Sequence, residues 1–453
     1  MGLFKNTILG TGAAIVSVAS AYAADLPSRK AAPVEYVRIC DAYGRGFFYI
    51  PGTDTCVRFG GLVRADYAFV AKKDVFSGLN AFNIPVLSVP ADAQHVVGWE
   101  ARARITFDAR TQTSWGVVQT AARLRLSRTT GVLGAGPDVG TATSTSASPT
   151  LEAAFIRFAG FTFGASRDNF AMMPSLTYGA GHWGSFANGA KQIAYTHSFG
   201  GGFSATIALQ DLSDTQTGGF QRDGSAPGTP RYRYDSLPNI VGRLDLQQGW
   251  GAVSVAGAVA QVSANNITDT FDVRETVWAA TIGATFNLPM LARGSKLYLT
   301  AAYADGMTEY TTNWTSFKSS AYQRDVGGFT MNHPSVVFEG GPNRVETVKS
   351  WNLAALLEHY WTPQYRSVLF ATYGQLDAPA TAAARVWNGT TGFGDAKVWN
   401  IGTNFAWLPT RDFEIGVEVI YARVEQDVRN AALVQTRQSD GNVSGRLRVE
   451  RSF

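Results

Sequence analysis

The chain has 453 residues, 45% of them hydrophobic, a formal net charge of +4 and a mean hydropathy of −0.05. A helical membrane protein is greasier than this and needs an uninterrupted apolar run of about eighteen residues, which is missing beyond the N-terminus. The charge is too mild to imply a nucleic-acid partner. Glycine (47) and aromatic residues (12%) are abundant, while cysteine (2) is scarce.

The N-terminus comes first. Lys5 supplies a basic start, residues 8–19 a short apolar run broken by Gly10 and Gly12, and Ala21-Tyr22-Ala23 a small-residue cleavage site. This pattern predicts a secretory signal peptide over residues 1–23. Lys5 is its only charged residue, so its removal leaves 38 basic and 35 acidic residues, a balance of +3. Residues 24–56 read as an irregular segment carrying Pro27, Pro33 and Pro51. An exported chain meets an oxidising compartment, which predicts a Cys40–Cys56 disulfide, outside the barrel wall, with two free thiols as the alternative. No metal site is expected, because two thiols lack partner ligands.

From residue 57 to 453 the pattern changes to about sixteen segments of alternating polarity, the first at 57–70 and the last at 443–453. Phe59, Val63, Tyr67 and Phe69 oppose Arg58, Arg64 and Asp66; Val97, Trp99, Ile105 and Phe107 oppose Glu100, Arg102, Arg104 and Asp108. Period-two alternation is the signature of a strand with one apolar face. Short and long connections alternate: 111–114, 159–160, 198–201, 247–249, 288–294, 358–364 and 408–411 are short, whereas 71–94, 128–150, 211–237, 305–348 and 425–442 are long. A soluble sandwich has no reason to sort its connections this way. An all-β, transmembrane, antiparallel up-and-down barrel does, with short periplasmic turns and long outer loops. Tyr360-Trp361, Trp407, Trp250, Trp115 and Phe453 sit at segment ends, where interfacial girdles place aromatics. Phe453 is expected at the periplasmic end of the closing strand, as the signal read by the barrel assembly machinery.

The stretch AAPVEYVRICDAYGRGFFYIPGTDTCVRFGGLVRADY, the stretch FAGFTFGASRDNF before a glycine-rich loop, and the ending RVERSF resemble the general porins of alphaproteobacteria, of the rhizobial type. The resemblance implies a homotrimer of sixteen-stranded barrels in outer-membrane lipid, each with an inward-folded third loop, passing small hydrophilic solutes. The alanines between Ala252 and Ala260 are the expected trimer face. Unlike the enterobacterial pattern, the loop at 167–190 carries Asp168 as its only acid.

Within such a pore, Arg64, then Arg102 and Arg104, then Arg123 and Arg125 fall on the polar faces of three consecutive segments. They are expected to form a guanidinium ladder along one wall, facing Asp168, with some of them paired to wall carboxylates. Glu414 and Glu418 share a polar face and are expected to line the lumen. No HExxH, G-x-S-x-G or phosphate-cradling glycine motif occurs, and the five histidines lack metal-ligand spacing, so neither enzyme activity nor a cofactor is expected. Two other readings fit parts of the pattern: a barrel serving as a structural or adhesion surface, and a secreted all-β sugar-binding protein or enzyme.

Overall fold

The computed structural model describes residues 38–71, 96–133, 148–179, 188–211, 238–265, 272–311, 345–379, 392–429 and 435–453, with short pieces at 75–79, 85–89, 231–234, 318–319, 324–325 and 336–338. The expected signal peptide lies outside them.

Sixteen strands build the wall: β1 (Thr55–Val70), β2 (Val97–Thr113), β3 (Gly116–Gly131), β4 (Ser148–Phe158), β5 (Phe161–Arg167), β6 (Asn188–Gly200), β7 (Phe203–Asp211), β8 (Asn239–Gln248), β9 (Gly251–Asn265), β10 (Asp272–Asn287), β11 (Lys296–Asp305), β12 (Lys349–Thr362), β13 (Tyr365–Asp377), β14 (Gly392–Thr410), β15 (Phe413–Arg429) and β16 (Gln435–Ser452). Each pairs antiparallel with its sequence neighbours, and β16 returns to β1 from Leu62↔Ser452 to Val70↔Ser444. The sheet is therefore a closed barrel. Closure removes the unpaired edges that an open sheet of this size would expose. Phe48–Tyr49 and Arg231–Tyr234 add two short flanking strands to the sheet.

Alternation sets the faces as the pattern predicts. Trp99 is 60% exposed on the outside, and Phe59, Val63, Ile105, Ile401, Phe405, Val417 and Leu447 are open there too. Asp66, Glu100, Asp108, Asn400, Asn404, Glu418, Arg446 and Arg448 point inward and are buried. This inversion, apolar outside and polar inside, suits a lipid-facing barrel. Aromatic pairs ring the wall near both rims. Tyr67–Trp99, Trp278–Tyr303, Trp351–Tyr373 and Trp399–Tyr421 lie towards the long loops, and Trp250–Phe286 and Tyr365–Phe405 towards the short turns.

The last strands run further than the alternation suggests. β15 and β16 stay paired up to Arg429↔Gln435, so the long connection expected at 425–442 shrinks to 430–434. The paired extension has a polar sequence (Glu425, Gln426, Asp427). It stands in water above the apolar band, where backbone hydrogen bonds continue but no hydrophobic marker is needed.

Ile39–Phe453 forms one compact unit. Within it, residues 39–54 fold onto the short-turn rim. Cys40 and Cys56 form the expected disulfide, with Cα atoms 6.0 Å apart. Its placement differs from the expectation. Cys56 belongs to β1 and shares the inward parity of Arg58, so the bridge lies on the lumen side of the rim. Phe47 packs beside it, with the Arg58 and Arg110 guanidinium carbons 4.9 and 5.0 Å from its ring centre.

Phe453 closes the other end. Its N–H donates to the Gly61 carbonyl at 3.1 Å and its carbonyl accepts from the Gly61 N–H at 3.0 Å. Its ring is 73% exposed on the outer face, over Gly61. A Cβ at Gly61 would lie 2.2 Å from the Arg104 carbonyl oxygen and 3.1 Å from the Phe453 ring, so only glycine leaves room for it.

Candidate channel and constriction

The third loop leaves β5 after Arg167 and turns into the barrel, as the resemblance implies. Asp168 starts the turn by accepting the Phe170 N–H at 2.9 Å. Residues 169–179 then run along the inner wall. The Asn169 and Ala171 carbonyls accept from Arg243 of β8 at 3.1 and 3.2 Å. Met172 lies over Gly283 of β10, where a Cβ would come within 2.7 Å of its sulfur. Met173 packs with Leu356, Val368, Phe370 and Ile420. The Leu176 carbonyl accepts from Asn404 of β14 at 3.0 Å.

Tyr178 and Gly179 form the far anchor. Their N–H groups donate to the two carboxylate oxygens of Glu418, at 2.7 and 2.6 Å. The Tyr178 hydroxyl donates to Glu414 at 2.5 Å. Its carbonyl accepts from Arg446 at 2.7 Å and Arg448 at 3.2 Å, and both guanidiniums also hold Asp66 of β1. Gly416 makes this approach possible, since a Cβ there would overlap the Tyr178 hydroxyl. Glu414 and Glu418, expected on a wet wall, thus differ in role from that reading. Glu418 is 1% exposed and latches the loop.

Beneath the loop lies an apolar floor. Ala256, Ala258 and Ala260 of β9 face inward and pack with Phe170, Met307 and Tyr310. This corrects the expectation of an alanine trimer face at Ala252–Ala260: the exposed partners on that strand are Val255 and Val259. The parity is fixed by what must fit inside, because small side chains make space for the loop.

The loop's described contacts fall on β6 to β16, starting with Asn169 donating to Gln192 of β6, and none of the hydrogen bonds made by the described loop residues reaches the inner face of β2 to β4. There the basic residues stand side by side: Arg64 opposite Arg102, Arg104 opposite Arg125, and Arg123 opposite Thr106. They do not form a bare ladder. Arg64 pairs with Glu450 at 2.5 Å, Arg102 with Glu100 at 2.7 Å, Arg104 with Glu152 at 2.7 Å, and Arg125 with Glu152 at 3.4 Å. Arg123 is exposed and forms no ion pair among the described residues. Asp168 does not face this wall as a pore acid; it is 2% exposed and bonded within its own loop. Glu152 and Glu450 are the partners that sequence reasoning missed. Glu152 sits at the one register shift between β3 and β4, which strict alternation does not anticipate.

A closed barrel with a greasy exterior, a charged interior and a strap across the lumen is a water channel with a narrowed waist. The chain matches the family model described as "Porin subfamily" over residues 25–445. It is 34% identical over 289 residues to the porin Omp2b of Brucella suis biovar 1 (strain 1330) and to that of Brucella abortus (strain 2308); the match covers 59% of this chain and 72% of each relative. Its fold is similar to that of the outer membrane channel DcaP of Acinetobacter baumannii, with a TM-score of 0.59 and 16% identity over 89% of this chain and 99% of that one. Membership of this family implies a channel rather than an enzyme. The chain belongs to the Porin subfamily, as a general alphaproteobacterial porin that crosses the outer membrane as a sixteen-stranded β-barrel and forms a channel through it.

Proposed function

We propose that this porin is an unspecialised, passive route for small hydrophilic solutes, with near-neutral or weakly anion-favouring selectivity, and that it works as a homotrimer. The pairing of Arg64, Arg102, Arg104 and Arg125 with Glu450, Glu100 and Glu152 carries this reading. Paired charges on a wet wall leave a small net field, which salt screens over about 8–10 Å. The four arginines share three carboxylates, and Arg123 adds a further positive charge. Strong cation selectivity has no support from the wall, since Asp168 is turned away from it. Among the partners, outer-membrane lipid suits the apolar exterior, and the barrel assembly machinery is proposed to engage the Phe453 end. Planar-bilayer recording tests the reading. In a tenfold potassium chloride gradient the zero-current potential should lie near zero or slightly on the anion side. A strongly cation-selective or non-conducting protein would overturn it.

A further inference from the structure

Under the root of the third loop, on the periplasmic side, the inner wall borders an open cavity of about 520 Å³. Its floor includes one row of cross-strand partners: Arg110 beside Gln119, Gln119 beside Arg157, and Arg157 beside Thr162. Neighbouring strands lie about 4.8 Å apart, so Arg110 and Arg157 spring from the wall about 10 Å from one another, with Gln119 between them. Arg167 and Asn169, at the loop's root, bound the cavity towards the constriction, and Tyr43 of the N-terminal segment borders it towards the rim.

The charges here are arranged unlike those of the wall above. Arg110 is held by Asp108, at 3.1 and 2.8 Å. Arg157 and Arg167 form no ion pair among the described residues. The Arg157 guanidinium carbon stands 4.5 Å from the Phe155 ring centre, a stacking contact that leaves the N–H edges available. Arg167 donates one N–H to the Met173 carbonyl at 2.6 Å. Two guanidiniums without an ion pair among the described residues, with an amide and a hydroxyl nearby, match the donor set that planar oxyanions take. The cavity's volume admits a solute of a few heavy atoms rather than a macromolecule.

We propose that this cavity is a transient binding site for small oxyanion solutes, carboxylates and phosphates alike, which holds them on the periplasmic side of the constriction. It rests on the reading of the lumen as an open pore. Bound anions occupy part of the path, so they retard chloride while being passed on themselves. Retention stays weak because the cavity is open to water, which is what a channel requires of a site it must also release from.

The test uses sodium phosphate and sodium acetate as probes on the full-length protein. Chloride current in planar bilayers at low ionic strength should fall saturably as either salt is added. Arg157→Gln should raise the half-saturating concentration roughly fivefold or more, the cost of losing one charge-assisted contact. Arg293→Gln, on the far periplasmic turn, should leave it unchanged. Arg157→Gln is preferred to Arg167→Gln, which would also free Met173 and loosen the loop. Phosphate and acetate each retarding the current supports the shared chemistry; phosphate alone doing so narrows the site to phosphates and overturns the carboxylate half. A current that falls without saturation, or an equal effect of Arg293→Gln, overturns the site while leaving the pore reading intact. Should the protein conduct nothing, the pore reading fails. Calorimetric titration of the detergent-solubilised protein then decides the site alone: heat of binding that disappears in Arg157→Gln supports it, and no heat in the unmodified protein rejects it.

Discussion

At Tyr178 a single loop residue gathers Glu414, Glu418, Arg446 and Arg448 from two wall strands. Burial first, and the Glu414 carboxylate next, push its phenol above the ordinary value, so it stays protonated and donates at any physiological pH. Tyr178→Phe should remove that bond, at a cost of about 0.5–1.5 kcal/mol to the closed loop. Single-channel recording should then show more open-state noise and a higher mean conductance, with the barrel's melting little changed. The sequence shows Glu414 and Glu418 on one face but not their partner, because Tyr178 lies 236 residues from Glu414. Asp168 departs from its expected place in the pore for a different reason. An aspartate at a loop start tends to bond the N–H two residues on, and here it does, which takes it out of the pore. The arginine wall gives a second prediction. Arg102→Glu with Arg104→Glu would set new carboxylates against Glu100 and Glu152, turning two ion pairs into two repulsions. The zero-current potential should move clearly towards cations while conductance is largely kept; an unmoved potential would show that permeating ions do not pass this wall.

Among the elements, β16 and β1 decide closure. Gly61→Ala should push apart β1, the Arg104 carbonyl and the Phe453 ring, and so reduce the fraction of folded, heat-modifiable barrel on semi-native gels. Deleting Phe453 removes two backbone hydrogen bonds and should slow insertion, leaving chains in the periplasm; undiminished outer-membrane levels at high expression would count against this. The disulfide is the other fastening. Cys40→Ser with Cys56→Ser should cost about 3 kcal/mol at most, the chain-entropy value for a loop of this size. Non-reducing peptide mapping should first find the two cysteines linked in the unmodified protein. All sixteen strands were legible from alternation and from the parity of the connections, since burial on one face imposes a period that lipid only inverts. Strand ends were less legible. At β15 and β16 the ladder outlasts the apolar band, and nothing in side-chain polarity marks where backbone pairing stops.

On the scale of the whole barrel, the lumen is divided unequally. The described part of the loop packs on its alanine floor on one side, and arginines line the other along β2 to β4. The alternation marks both faces of β9 but not which one is covered, and small residues suit a subunit contact as well as a loop floor. The homotrimer therefore stands on family resemblance, and it predicts an oligomer on native gels that collapses only on heating in detergent; a monomer in unheated native extracts would reject it. The alanine floor has a consequence for calibre. Its thickness works like a shim between the wall and the strap. Exchanging Ala258 for leucine would lift the loop towards the arginine side and lower the size limit for neutral sugars in liposome swelling. A lineage could retune its molecular sieve in this way, one methyl at a time, without altering any charge the solute meets.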